Sequence, residues 1–429
     1  MKLAINGGEK VRKKPFPAYI PTGIEEKEAV NKVLDKGKLS QFLGCWHHDF
    51  YGGEQVRLLE KEWCEFFKVK NAISVNSATS ALYAAMGAIG LEPGEEVIVS
   101  PYSMAASATA PLIYNGIPVF ADIDEERCII DPKSIEERIT DKTKAIIVVD
   151  FFGHPYDADV INKIAKKHNL YVIEDCAQAP GAIYKGKFAG TLGDIGVYSL
   201  NYHKHIHCGE GGILVTDNDE LAERLRLIRN HAEAVVEAKG VKRLDNMIGF
   251  NYRMTEIEAA IAREQLKKLP KLLETRRANV KYIEDNLKKY DFLKMPEVQK
   301  ECVHSYYIHP IQFDENKFGK HRDIFVNAVK AELPHFELRE TEGVKFNGGV
   351  VKPLYLQPMF QNKIAYGNSH YPFSLNPKIN YDKGICPVVE EMYESKMIVH
   401  EMMVSSMSKE DIDDFIKAID KVSINRSEL

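Results

Sequence analysis

Five consecutive residues, Ala145-Ile146-Ile147-Val148-Val149, are apolar and mostly β-branched, with no polar face. Successive side chains of a strand point to opposite sides, so a strand of this kind must be covered on both. Shorter runs of the same character occur at Ala72-Ile73-Ser74-Val75, Val97-Ile98-Val99, Pro118-Val119-Phe120, Tyr171-Val172-Ile173, Ile195-Gly196-Val197-Tyr198 and Ile213-Leu214-Val215. Between them lie stretches with helical spacing: Ala78 to Ile89, Ala105 to Tyr114 and Asp157 to Leu170. Strands alternating with helices predict a mostly parallel sheet with helices on both faces.

The pattern changes after residue 250. Thr255 and Glu258 form a capping box that opens a long helical pattern running towards Tyr290, with Pro270 expected to kink or break it. We place the boundary here: a large α/β domain over residues 1–268 and a smaller α+β domain over 269–429. The small domain contains a strand-like run from Tyr306 to Phe313. It ends on an amphipathic helix in which Ile412, Phe415, Ile416 and Ile419 share one face behind Ser408. Residues 340–387, rich in Asn, Gly, Tyr and Pro, read as a long functional loop.

Composition removes several classes of function. The 429 residues are 45% hydrophobic and 28% charged, the balance of a globular protein with a sizeable core. A net charge of −5, with signs well mixed, gives no case for nucleic acid or an anionic membrane as partner. No apolar run approaches the roughly 18 residues that span a bilayer, and the first residues are broken by glycine and charge before any signal core. Seven scattered cysteines without a Cys-x-x-Cys pair fit reduced thiols and a cytoplasmic location.

Three features carry chemistry. Lys204 lies between an apolar strand and the glycine-rich Gly209-Glu210-Gly211-Gly212, where a loop at a strand end lifts a side chain to the lip of the sheet. An amine there can condense with a carbonyl, although an exposed hairpin lysine reads the same way in isolation. Asp175 ends the apolar strand at 171–173. A carboxylate there needs a cation, such as the protonated pyridine of pyridoxal 5′-phosphate (PLP), unless it simply caps the next turn. Ser77-Ala78-Thr79 follows a strand and opens a helix, offering free amides and hydroxyls to a phosphate. Each signal is weak alone; the three occur in the order that a PLP enzyme requires.

Several motifs in register resemble those of the DegT/StrS (DegT/DnrJ/EryC/StrS) sugar aminotransferases, PLP enzymes of the aspartate aminotransferase-like fold type I. The family's lysine motif has Ser-Phe, three variable residues, Lys, four residues and Gly-Glu-Gly-Gly. Ser199, Lys204 and Gly209 to Gly212 keep that spacing, with Leu200 in place of Phe. Glu174 to Ala179 matches Glu-Asp-x-Ala-Gln-Ala, Gly249 to Met254 matches Gly-x-Asn-x-Arg-Met, and Gly116 to Phe120 matches Gly-x-x-Pro-Val-Phe. The resemblance runs from about residue 25 to 270 and recurs at Leu354 to Pro358.

That resemblance implies that Lys204 holds PLP as a Schiff base and later shuttles the substrate proton. It implies that Asp175 pairs with the pyridine nitrogen, that Gln178 sits by the ring hydroxyl, and that Ser77, Ala78, Thr79 and Ser199 bind the phosphate. Asn251 would reach the phosphate of a neighbouring subunit, which implies a homodimer with shared sites. Two departures matter: Ala78 replaces the usual glycine of the phosphate cup, and Met104-Ala105 stand where the family has a ring-stacking aromatic. Either a small aliphatic contact at Met104 serves the ring, or Tyr102 covers it.

The implied reaction passes an amine from L-glutamate or L-glutamine through pyridoxamine phosphate to a keto-sugar, with nucleotide-linked sugars the family precedent. A branch that dehydrates ketosugars carries histidine where this chain has Lys204, which favours transamination. The opening Leu3 to Arg12 resembles the branch acting on keto-cyclitols such as scyllo-inosose. A PLP-binding regulator is the non-enzymatic alternative, opposed by the retention of Lys204, Asp175 and Gln178 together. His203, His205 and His207 alternate around Lys204; lacking a companion carboxylate or cysteine spacing they are read as substrate-mouth or packing residues, with no metal. The acceptor pocket is expected from His203, Tyr306, His309, the 340–387 loop and the 41–53 insertion, the last being either substrate-facing or dimer-packing.

Overall fold

The computed structural model of the chain describes residues 2–429. Its large sheet has seven strands: β1 (Asn71–Val75), β2 (Glu96–Val99), β3 (Ile117–Phe120), β4 (Thr143–Val149), β5 (Tyr171–Asp175), β6 (Ile195–Ser199) and β7 (Gly212–Thr216). They lie in the order β1-β7-β6-β5-β4-β2-β3. The five strands from β6 to β3 pair in parallel, and β7 runs antiparallel to both of its neighbours, β1 and β6. The interior strands are buried along almost their whole length, as their uniform apolarity requires. A single loop over residues 200–211 joins β6 to β7, so the lysine it carries lies at the carboxyl end of β6.

Helix α1 (Ala78–Ala88) follows β1 directly and starts at Ser77, whose Oγ accepts from the Ser80 N–H at 3.0 Å. Its alanines let it lie close against the sheet, and most of them are fully buried. The expected helix after Ala105 is split: an α-helical turn, Ala105–Thr109, gives way at Pro111 to a 3-10 turn. Helix α2 (Glu256–Leu287) opens on the Thr255 capping box, with the Thr255 N–H donating to Glu258 at 2.8 Å. Pro270 does not end it. The helix continues for 32 residues, because the one hydrogen bond that proline forfeits is outweighed by burial of Leu266, Leu269, Leu273 and Val280 on its core face. The boundary read near residue 268 therefore falls inside a helix shared by both halves.

A second sheet is built from β8 (Leu293–Lys294), β9 (His309–Phe313), β10 (Phe346–Gly348) and β11 (Met397–His400), antiparallel in the order β8-β9-β11-β10. Helix α3 (Lys409–Ile424) packs Ile412, Phe415, Ile416 and Ile419 into the same core as Ile311, Phe313 and Phe325. Leu3 and Phe16 from the N-terminal arm join that core. Conversely, Leu354, Tyr355, Phe360, Phe373 and Tyr381 join the core of the large sheet. The N-terminal arm and an internal segment of the C-terminal half thus each pack on the other body.

Candidate active site

Lys204, Asp175, Ser77, Ala78, Thr79, Gln178, Ser199, Met104 and His203 line one cavity of about 480 Å³ at the carboxyl ends of the large-sheet strands. The position follows from topology: α1, β5 and the β6–β7 loop all release their functional residues at that edge.

The start of α1 lines the cavity with Ser77, Ala78 and Thr79. Ala78 is the first residue of α1, in a right-handed conformation that alanine favours, so the absent glycine is no obstacle there. The glycine that the cup does need is Gly212. A Cβ on it would lie 2.6 Å from the Ala78 nitrogen and 2.7 Å from the Ser77 oxygen. Ser199, at the end of β6, is 6% exposed and its Oγ accepts from the Asn201 N–H.

Asp175 is buried at the end of β5. Its Oδ2 accepts from the Ser107 hydroxyl at 2.7 Å and its Oδ1 from the Ala177 N–H at 3.2 Å. The turn-capping reading is therefore true of one oxygen, while the residue also faces the cavity. Burial raises its carboxyl above the usual range, opposed by Ser107, the Ala177 amide and the Lys204 charge. Lys204 places Nζ 4.3 Å from the centroid of the Tyr307 ring. Burial lowers its amine to about 8, with Asp175 and Glu401 holding it from falling further. Gln178 Oε1 accepts from the Phe152 N–H at 2.8 Å, which ties it to the Phe151–Gly153 turn forming another wall.

Other expected residues lie elsewhere. His309 is fully buried: it bonds His400 at 2.8 Å and Glu284 at 3.1 Å, outside the cavity. On β9, His309, Ile311 and Phe313 share the face turned to the small-domain core, so the neighbouring register, Ile308, reaches the cavity instead. Tyr306 has a positive φ of 52° and stacks on His304 with ring centroids 3.9 Å apart, and Tyr307 takes its place beside Lys204. The three histidines around Lys204 diverge. His203 lines the cavity, His205 is buried against the Ser305 carbonyl at 3.0 Å, and His207 lines a neighbouring cleft.

Tyr102 does not cover the cavity; it sits behind the wall against Phe151 and Phe152. Met104 stands at the mouth, 64% exposed. Asn251 is exposed, accepts from Arg253 Nε at 2.7 Å, and is absent from the lining of this chain's own cavity. Of the 340–387 stretch, only Val350 and Val351 line the cavity. Most of the remainder seals the edge of β3, with Tyr381 donating to the Pro118 carbonyl at 2.7 Å. The 41–53 insertion packs on its own surroundings: Asn230 Nδ2 donates to the Leu43 and Phe50 carbonyls, and Trp46 stacks edge-on with Phe50 and Tyr51. Tyr307, Ser107, Phe151 and Ile308 escaped the sequence reading, since none belongs to a motif and all arrive through tertiary contacts.

A buried amine with a lowered pKa, a buried carboxyl and a helix N-terminus face a single cavity. That donor set suits a phosphorylated pyridine aldehyde, with Gly212 leaving space for the phosphate cup. A family model described as the DegT/DnrJ/EryC1/StrS aminotransferase family matches residues 25–419. The chain belongs to this family.

Two relatives and one solved structure show how far the likeness extends. GDP-perosamine synthase of Escherichia coli O157:H7 is 32% identical over 397 residues, covering 89% of this chain and 100% of the relative. L-glutamine:2-deoxy-scyllo-inosose aminotransferase of Streptomyces lividus is 30% identical over 321 residues, covering 73% of this chain and 75% of the relative. The solved structure of an aminotransferase from Psychrobacter cryohalolentis is 30% identical, with a TM-score of 0.80, covering 96% of this chain and 99% of that one. The protein is a PLP-dependent aminotransferase of fold type I.

Proposed function

We propose that the enzyme transfers the amino group of L-glutamate or L-glutamine to a nucleotide-linked keto-sugar. The observation that carries this reading is the convergence of Lys204, Asp175 and the Ser77–Thr79 helix end on one cavity, in a chain alignable with GDP-perosamine synthase over that relative's whole length. PLP, when bound, supplies the electron sink that makes the substrate Cα–H acidic.

The chain's own groups divide the remaining work. Lys204 Nζ is the amine that would hold the cofactor and would take up and return the substrate proton; an amine lowered to about 8 is well matched to that task. Asp175 would meet the ring nitrogen and favour its protonated form. Gln178 would lie by the ring hydroxyl, Ser77, Ala78, Thr79 and Ser199 would hold the phosphate, and Met104 would contact the ring. Asn251, exposed and outside its own chain's cavity, completes the site of a partner in a homodimer. Tyr307 orients the Lys204 amine through its ring face, and His203 meets the substrate.

A keto-cyclitol acceptor is a second reading, favoured by the likeness to the Streptomyces lividus enzyme. The test follows the visible absorption band of the purified holoenzyme before and after L-glutamate or L-glutamine. Loss of the band, abolished by Lys204→Ala, supports the donor assignment. Acceptor panels of nucleotide keto-sugars and keto-cyclitols, read by mass spectrometry of the aminated product, then separate the two readings. A band that neither amino acid discharges overturns the proposed donors.

A further inference from the structure

Behind the cavity wall lies a pair of carboxyl groups to which the assignments above give no task. Glu174 and Asp175 are consecutive on β5 and therefore point to opposite faces. Asp175 faces the cavity; Glu174, 0% exposed, accepts from the Gly190 N–H at 2.5 Å and the Leu192 N–H at 3.0 Å. Asp150, also 0% exposed, follows β4 directly and its side chain meets Glu174. Its N–H donates to the Asp175 carbonyl at 3.1 Å and its Oδ1 accepts from the Tyr156 N–H at 2.8 Å. Its Oδ2 is buried without a hydrogen bond, and the Cys176 thiol is the side-chain donor beside the carboxyl. No Lys, Arg or His lies within ion-pair distance of either carboxyl among the described residues.

Two ionised carboxylates in contact, without a cation and with only a weak thiol donor beside Asp150, would place two buried like charges together. We propose that Asp150 is a carboxylic acid that keeps its proton, donates it from Oδ2 to the Glu174 carboxylate, and by that bond fixes the adjoining ends of β4 and β5 that present Asp175 to the cofactor. One proton shared by two carboxyls leaves a single buried negative charge behind Asp175 instead of two. Burial and Glu174 push the Asp150 carboxyl well up; burial raises Glu174 as well, but there Asp150 and the Gly190, Leu192 and Gly193 amides oppose it, which suits Glu174 to carry the charge. The other titratable neighbours do not compete for the charge: the thiol of Cys176 and the hydroxyls of Tyr156 and Tyr198 are raised by burial and stay neutral. Asp194, near Tyr156, bonds the Val172 N–H instead. Asp150 also holds the 151–156 turn, so Phe151 and the Phe152 amide that Gln178 receives depend on the same anchor.

The role, though not the proton, rests on Asp175 being the cofactor's partner, and the measurements separate the two. Carbon-13 spectra of apoenzyme labelled at the aspartate carboxyl carbon should contain one resonance at the protonated-carboxyl shift. It should not titrate over the pH range of the folded state, and it should be missing in Asp150→Asn. Should that variant fail to fold, Glu174→Gln assigns the same resonance by perturbing it. A carboxylate shift for Asp150 at neutral pH overturns the proposal.

The role is read on the holoenzyme. Asp150→Asn exchanges one neutral donor for another and should leave the pH titration of the visible band within about 0.3 unit of wild type. Asp150→Ala, without a donor, should weaken PLP binding about tenfold, an effect that the Asn variant largely restores. A shift of a full unit or more in the Asn variant, or equal PLP affinity in the Ala variant and wild type, overturns the positioning role.

Discussion

Lys204 illustrates how burial turns an ordinary side chain into a reagent. Protein packed around its amine replaces much of the solvent a free lysine would have, which disfavours the charged form; Asp175 and Glu401 recover part of that loss. In the apoenzyme the neutral amine is the nucleophile, so the rate of PLP capture should rise with pH and level off above about 8. Stopped-flow absorbance against pH checks this; a lysine at the ordinary 10.5 would keep climbing well beyond. The sign for stability follows. Because the folded-state value is below the unfolded one, this group opposes folding of the apoenzyme fully below about 8. That opposition is relieved as pH rises from 8 towards 10.5.

At the scale of elements, the decisive contact is between β7 and the start of α1. Gly212 opens β7, pairing with Val75 on one side and Ser199 on the other, and its missing Cβ is what lets the Ser77–Ala78 peptide pass so close. The neighbours there are backbone atoms, which have no rotamer to escape into. Gly212→Ala should therefore destabilise the fold by about 2–3 kcal/mol and displace the phosphate cup. Thermal unfolding of the apoenzyme and PLP titration measure the two effects, and PLP affinity should fall by about tenfold or more. The same element logic explains the entry to β9, where Ile308, just before the strand, lines the cavity while the next residue, His309, is buried on β9 against His400 and Glu284.

For the whole molecule, the prediction concerns subunits. If Asn251 serves the partner's site, Lys204→Ala and Asn251→Ala damage different halves of each shared site. Each variant alone should be nearly inactive. Mixed dimers should then regain activity, because half of the dimers carry one intact site, giving about a quarter of the wild-type rate per protomer. Refolding or co-expressing the two variants and assaying amine transfer checks this, and a mixture no better than its parts removes Asn251 from the partner's site. The two bodies of one chain are coupled as well. Helix α2 runs through both, the N-terminal arm lies on the small-domain core, and residues 354–381 lie on the large sheet.

The sequence by itself determined the large sheet, because a strand buried on both faces has no alternative to an uninterrupted apolar run. It also singled out Lys204, Asp175 and the Ser77–Thr79 helix start, because strand-end loops and helix starts are local events with local signals, while Gln178 came from the family resemblance; all of them line the one cavity. It did not reveal Tyr307 over Tyr306, or Ile308 over His309. Those depend on a positive φ and on strand register, which are set by what the strand packs against. The long stretch at 340–387 looked like a substrate loop because it lacks periodicity. Its aromatics instead cover the open edge of β3, a surface that exists only once the sheet has formed. Pro270 is legible as a helix breaker in isolation, but only tertiary burial of the turns on either side decided that the helix continues.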